Sequence, residues 1–416
     1  MRFIRLLFCY NFDAIKKQTE GEQMNLRDTI SWLKTKIQVD LFPHVEECVR
    51  DPLTEKQKRL ITTLEVMKVE DHVKSPEYQW MGRKLKDRYA IARAFVAKAV
   101  YDFNTTSGLI EALKSMPNLR RICGFDGIVI VEEREGITLG GMILRLKRKK
   151  TILPSESTFS RAFAEFAESG LGDRVHGALV EEHMSDQIIG HISRDATAII
   201  GNEKPAKKGK ESEEKKEAKP AVKKGRPKKG EERPKEDKRL EKQLRQTYGE
   251  ALKELPTVCD VGCKTNSQGY KQTWVGYKLH VDMSDCGLPI TAILTSASLH
   301  DSQVAIPMMK MTTERVPYLY DLMDAAYDAE QIHELSKSLG HAPIIDRNPQ
   351  RGNVVPMAPA EAVRYNERSA AERFNSRLKG EFGGETVMVC GYKKVKLHLM
   401  FGVIALFVDQ LLKLTT

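Results

Sequence analysis

Cysteine is sparse in this chain, and no disulfide framework can be built from it. Seven cysteines are scattered over 416 residues, an odd number that fits a reducing cytoplasm better than a secreted scaffold. Cys259 and Cys263 stand at a spacing able to hold zinc, but no second pair follows; small buried thiols are expected instead. No apolar run reads as long enough to span a bilayer. The opening stretch 1–11 has two arginines, with Arg5 interrupting its apolar part and no small-residue cleavage site after it, which argues against a signal peptide. Met24 offers an alternative start. These absences predict a cytoplasmic, nucleoid-associated protein with no membrane partner. Acidic residues are also in deficit, 57 Asp and Glu against 67 Lys and Arg, for a net charge of +10. That balance suits a polyanion, most commonly nucleic acid, although a basic enzyme of another kind would share it.

The length suffices for two or three domains. From Pro205 to about Glu241 the chain is mostly Lys, Glu, Pro, Gly and Arg, with almost nothing to bury, so a charged, disordered insertion is expected over 205–255. Before it, residues 1–25 form an extension and 26–180 a mainly helical domain. Ile91, Phe95, Val96, Ala99, Val100 and Phe103 recur at helical spacing. Thr105, Thr106 and Ser107 can cap the next helix, and Ser155 and Ser157 open another that carries Phe159, Phe163 and Phe166. Residues 128–143 predict a hairpin turning at 133–136. A second domain starts at 181–204 and resumes over 256–416. Its strands are expected at 188–200, 274–281, 288–295, 318–323 and 342–345, with helices at 304–311, 360–379 and 395–414 and another through Ile332 and Leu335 that Gly340 stops. The pattern predicts an α/β fold with a mixed five-stranded sheet.

Two aspartates are expected at strand ends, Asp195 near the end of the first and Asp324 closing the fourth. Functional groups of open α/β sheets gather beyond the carboxyl ends of strands, and a late helix carrying Glu372 could add a third carboxylate. Three carboxylates without His or Cys favour Mg2+, or Mn2+ in its place, and phosphodiester chemistry over zinc hydrolysis. Alone, each acid reads equally well as a cap or a surface charge. The helix around Glu372 distinguishes the readings. Tyr365, Arg368, Glu372 and Lys379 fall on one face of a continuous helix, opposite the apolar Ala370, Ala371, Phe374 and Leu378. An ion-paired solvated face would give the same pattern, but a phosphate-handling face accounts for the cations, with Arg368 and Lys379 on DNA phosphates. Arg377 points away and reads as a solvent charge. Asp260 and Asp321 are rivals for the first and second aspartates. His280 and His300 could hydrogen-bond near the site or be structural.

The spacing of Tyr365, Arg368, Glu372 and Lys379 resembles the Tyr-Arg-Glu-Lys signature of bacterial insertion-sequence transposases. Gly276-Tyr277-Lys278-Leu279-His280, Ser298-Leu299-His300-Asp301-Ser302 and the stretch from Asp324 to Tyr327 resemble motifs of the same enzymes, and residues 82–125 and 153–161 resemble their helical N-terminal domain. The resemblance implies a ribonuclease-H-like catalytic domain and a DDE triad of Asp195, Asp324 and Glu372 on Mg2+ or Mn2+. It also implies that Tyr365, Arg368 and Lys379 grip the DNA strand end. The chain departs from many relatives in its charged insertion after Asp195, and from some in lacking a large β insertion before Glu372.

Further DNA contacts are expected outside the triad. Lys223-Lys224-Gly225-Arg226-Pro227-Lys228-Lys229 resembles an AT-hook, with Arg226 for a narrow minor groove; a solvated basic linker fits equally. Ser157, Thr158 and Arg161 lie near a helix start, where recognition helices meet base edges, or serve as a cap and a surface charge. The function expected is DNA transposition on double-stranded DNA, by a homodimer when two ends are synapsed. A stand-alone ribonuclease-H-like nuclease and a DNA-binding protein without catalysis are the alternatives.

Overall fold

The computed structural model describes residues 52–74, 87–125, 138–139, 142–143, 153–206, 237–265, 269–348 and 356–415. The extension 1–25, Arg226 and most of the charged insertion lie outside the described residues. Residues 58–416 form one compact unit, which holds the sheet and the helices around it.

The helices that precede the sheet are α1 (Glu55–Met67), α2 (Val69–His72), α3 (Arg88–Val100), α4 (Thr106–Ser115), α5 (Pro117–Ile122), α6 (Glu156–Glu168) and α7 (Leu171–Met184). Their starts are chemically marked. The Asp87 carboxylate accepts from Tyr89 N and Ala90 N, Thr105 caps α4 through Gly108 N, and Pro117 occupies the first turn of α5. Phe95 packs edge-on to Phe159 at 5.9 Å and tilted against Phe163 at 4.6 Å, joining α3 to α6. A two-stranded pair, β1 (Thr138–Leu139) and β2 (Met142–Ile143), meets at Leu139↔Met142. The turn expected at 133–136 lies outside the described residues.

The sheet is built on β3 (Ile189–Gly201). One edge of β3 pairs antiparallel with β5 (Lys271–Ser284), and β5 pairs with β6 (Pro289–Ser296). The other edge pairs in parallel with β7 (Tyr318–Met323), and β7 with β8 (Ala342–Ile345). The order β6-β5-β3-β7-β8, with β3, β7 and β8 parallel, is a mixed five-stranded sheet of ribonuclease-H-like form. Two short strands lengthen it: β4 (Asp260–Thr265) pairs with the first half of β5, and β9 (Thr386–Val387) pairs with the far end of β3. Gly276 marks where β5 changes partner. Its φ is +149°, and a side chain there would meet the Ile199 carbonyl oxygen at 2.2 Å, so only glycine fits.

Two expectations need correction. Residues 239–253, assigned to a disordered insertion, form α8 (Arg239–Arg245) and α9 (Tyr248–Lys253), packed on α10 (Ser302–Arg315). Average composition hid the reason: Leu240 and Leu244 pack on one apolar cluster and Leu252 and Leu255 on another. Lys310 donates to the carbonyls of Gln243, Leu244 and Gln246 at the end of α8. The second correction concerns apolar runs. The last helix, α14 (Tyr392–Thr415), is long and apolar enough to cross a membrane, yet 72% of its apolar window is buried. It is a core helix, packed against α3, α6 and α7. The helical region and the sheet-bearing region thus share α14, and the expected boundary at 180 falls inside α7.

Candidate active site

Asp195 sits mid-strand in β3, not near its end as expected. The geometry still brings it to Asp324. β3 and β7 run in register to Ser193↔Leu322, and two residues further on each strand are Asp195 and Asp324. β7 stops at Met323, while β3 runs on past it to meet β9. Asp195 therefore faces the opening where its parallel neighbour has ended, the kind of crevice in which α/β sheets place ligands. Asp324 caps the 3₁₀ turn Ala325–Tyr327, its Oδ1 accepting from Ala326 N at 3.0 Å. Burial pushes the Asp195 carboxyl up to about 6, and the neighbouring Asp324 adds to the rise. Burial raises Asp324 too, with Asp301 adding to it.

The expected helix over 360–379 is two helices, α12 (Pro359–Asn366) and α13 (Ser369–Glu381). Between them Arg368 N bonds to Tyr365 O, and Ala371 N to Arg368 O; these three-residue steps tighten the chain. Arg368 is close enough to act on both Asp195 and Asp324, and its guanidinium lies 5.7 Å from the centre of the Tyr365 ring. Lys379 is half-buried; burial depresses its ammonium, Lys264 on β4 adds to the fall, and Asp195 opposes it. Arg368 thus lies within electrostatic reach of both carboxylates, Tyr365 of Asp324 and Lys379 of Asp195. Glu372 does not join it. Its side chain is 56% exposed and pairs with Arg368 at 2.6 Å. The side chain of α13 that reaches Asp195 is Asn375, whose Nδ2 donates to Asp195 Oδ2 at 3.0 Å.

The other sequence candidates are placed elsewhere. Asp260 opens β4 and accepts from Ser298 N at 2.9 Å and from the Ser298 hydroxyl, which ties β4 to the turn after β6. Asp321 is buried and bonded to Arg194, Ser336 and Tyr318. His280 is fully buried on Thr295, and burial lowers it to about 4; His300 bonds Ser302. Ser157, Thr158 and Arg161 lie in the first turns of α6 and bond locally. The Ser155 hydroxyl contacts the hydroxyls of Ser157 and Thr158, both at 3.0 Å, and Arg161 Nε donates to Ser157 O. Arg377, read as a solvent charge, is instead held by Glu381 and Asp409.

Sequence reasoning missed Asn375, Lys264 and Asp301. Asn375 had a usable signal, three residues after Glu372 and so on the same side of a helix. Lys264 had none, because only the pairing of β4 with β5 carries it to the site.

Oxygen donors and crowded negative charge fit Asp195 and Asp324 to a hard divalent cation. Glu372, turned to Arg368, is not part of that set, and no group of three or more His, Cys, Asp or Glu positioned to hold a metal occurs among the described residues.

The raised Asp195 carboxyl lends itself to a stability test. A carboxyl whose folded pKa exceeds its unfolded value, near 3.9, stabilises the fold while protonated. That contribution is complete below about pH 4 and is lost as pH rises through about 6. Asp195→Asn is therefore expected to be more stable than wild type at pH 7 by about 1–3 kcal/mol, after allowance for partial exposure, and equal to it near pH 4. Chemical denaturation at the two pH values checks this; a variant no more stable at pH 7 would refute the strained carboxylate.

No curated protein and no solved structure matches this chain. Residues 258–408 match the family model described as Transposase DDE domain. The matched stretch begins after Asp195 and holds β5 to β8, Asp324 and α13. Over residues 258–408 the chain is thus similar to the transposase DDE domain family.

Proposed function

We propose that this protein is a DNA transposase that cleaves the ends of its element and joins the freed 3′-OH to target DNA. The observation that carries the reading is the placement of Asp195 and Asp324 two positions beyond the paired Ser193 and Leu322 on neighbouring strands, within electrostatic reach of Tyr365, Arg368 and Lys379. Mg2+, or Mn2+ in its place, supplies activation of the attacking oxygen and neutralisation of the leaving one. Asp195 and Asp324 would hold it, and Glu372, which pairs with Arg368 here, would be the third carboxylate. Arg368 and Lys379 then grip phosphates beside the scissile bond, with Tyr365 against the strand end. Ser157, Thr158, Arg161 and Arg226 contribute to recognition of double-stranded DNA. Two copies act together when two ends are synapsed, and the work is done in the cytoplasm on the nucleoid.

The test uses DNA carrying the inverted repeats that flank the gene. Cleavage is expected with Mg2+ or Mn2+ and none with EDTA; equal activity in chelator refutes the metal. Arg368→Gln and Lys379→Gln are each expected to cut cleavage by roughly 10–100-fold, the worth of one charge-assisted bond. Each should also lower the salt slope of DNA binding by about one counterion. Arg373→Gln is the control, since that residue is exposed and donates to Ser369 within its own helix. If Arg368→Gln and Lys379→Gln both behave like the control, the face is a solvated one.

A further inference from the structure

Asn375 has two polar atoms, and only one is used. Its Nδ2 donates to Asp195 Oδ2 at 3.0 Å, while its Oδ1 is buried with no hydrogen-bond partner among the described residues. The residue as a whole is 8% exposed. A buried amide oxygen left bare costs about 1–3 kcal/mol, so native structures rarely keep one without a use. Solvent cannot freely satisfy it, and the protein does not.

Its surroundings say what it waits for. Asn375 stands on α13 between Ala371, Phe374 and Leu378, which are buried and lock the helix onto the sheet. Glu372 is one turn earlier, exposed and held by Arg368. The amide thus holds the first aspartate from a rigid helix while Glu372 remains outside. The Asp195 carboxylate is thus held from two sides, by the Asn375 amide and by the backbone N–H of Ala196.

We propose that Asn375 is a positioning residue for the reaction: its Nδ2 fixes the Asp195 carboxylate in the orientation that receives a divalent cation, and its Oδ1 accepts a hydrogen bond from a hydroxyl of water or of the DNA strand end. This rests on the function proposed above, and deepens it by adding a fourth residue that no motif assigned. The amide is neutral, so it orients the carboxylate without competing with Asp324 for the cation. Partners that hold metal-binding carboxylates in place are typically worth 10–100-fold in metal affinity or activity.

Asn375→Ala and Asn375→Gln separate positioning from packing. Alanine favours the helix and removes both polar atoms; glutamine restores both on a longer stem. Mn2+ binding to the purified full chain is followed by the paramagnetic resonance signal of free Mn2+, nicking of supercoiled plasmid by gel, and folding by thermal melting. Asn375→Ala is expected to bind Mn2+ 10–100-fold more weakly and to need correspondingly more Mn2+ for half-maximal nicking, with its melting temperature close to wild type. Asn375→Gln is expected to recover part of both. Wild-type Mn2+ binding and nicking in Asn375→Ala would overturn the proposal while leaving the function intact, provided that Asp195→Asn is inactive. Loss of activity in step with melting temperature, without recovery by glutamine, would overturn it as well, because the role would then be structural. A wild-type protein that neither binds Mn2+ nor nicks would remove the function and this inference together.

Discussion

Asp195→Asn should lower strand cleavage by roughly a thousandfold or more while leaving DNA binding nearly unchanged. The magnitude comes from the worth of a bound cation in phosphoryl transfer, several kcal/mol of charge stabilisation, at about 1.36 kcal/mol per tenfold in rate. The substitution keeps the shape of the side chain and changes its charge, so β3 has no reason to move. Its hydrogen bond from Asn375 survives if the new amide presents its oxygen to Nδ2. Asp324→Asn should behave alike, because the two residues follow the paired Ser193 and Leu322 at equal distance on neighbouring strands, and the carboxyls of both are raised by burial and by nearby acidic charge. Asp260→Asn is the discriminating control. That residue holds Ser298, so its loss should loosen the turn after β6 and leave cleavage within a few-fold of wild type. Rates and binding of the three variants, measured on DNA with the element ends, decide the matter. If Asp260→Asn is dead and Asp195→Asn active, the site belongs to the other aspartate.

How much of this could be read from sequence depended on the range of the interaction involved. The strand at 318–323 and its terminal Asp324 were legible because an apolar run, a following acid and a turn are local signals. The helical spacing of Phe159, Phe163 and Phe166 was legible for the same reason. Asp195 was expected near a strand end and proves to be mid-strand. The reason is non-local: what ends beside it is the neighbouring β7, and β9 takes over the same edge further along. The helix over 360–379 showed its apolar face in sequence, but not its tightened joint at 367–368. That joint sends Arg368 toward Asp195 and Asp324 while Glu372 stays in solvent. Arg377 was misread because its partner Asp409 is 32 positions away, on another helix. The α8–α9 segment was missed because four leucines are too few to shift the composition of a charged stretch, though they are enough to anchor two short helices.

The buried side of the sheet carries the second large effect. Successive residues of a strand face opposite sides, so the neighbour of Asp195 points away from the site. That neighbour is Arg194, fully buried, with Nε and Nη2 each 2.7 Å from an Asp282 carboxylate oxygen on β5. Its Nη1 lies 3.5 Å from Asp321 on β7. Thr312 of α10 donates to Asp282. Asp321 in turn accepts from Tyr318 on its own strand and from Ser336 of α11 (Glu330–Ser338). Burial opposes the Arg194 charge, but Asp282 and Asp321 outweigh it and hold the guanidinium protonated. One side chain thus ties β3 to both neighbours at the level where Asp195 and Asp324 must line up. Arg194→Met should therefore cost about 3–5 kcal/mol of stability at neutral pH, the usual result of removing one side of a buried ionic set. Most of that cost lies in the two carboxylates left behind. Burial already pushes the Asp282 carboxyl up, and Arg194 opposes that rise; without the guanidinium it rises further, so its protonated form stabilises the fold at low pH and that stabilisation is lost as pH rises through the folded value. The deficit against wild type should accordingly be largest at neutral pH and shrink in acid. Arg194→Met combined with Asp282→Leu should lose less than Arg194→Met alone, because one orphaned charge is gone. Chemical denaturation of both variants and wild type at two pH values measures all three expectations. An Arg194→Met protein as stable as wild type at neutral pH would mean that packing alone holds β3 between β5 and β7, and that the alignment of Asp195 with Asp324 owes nothing to the charge beneath it.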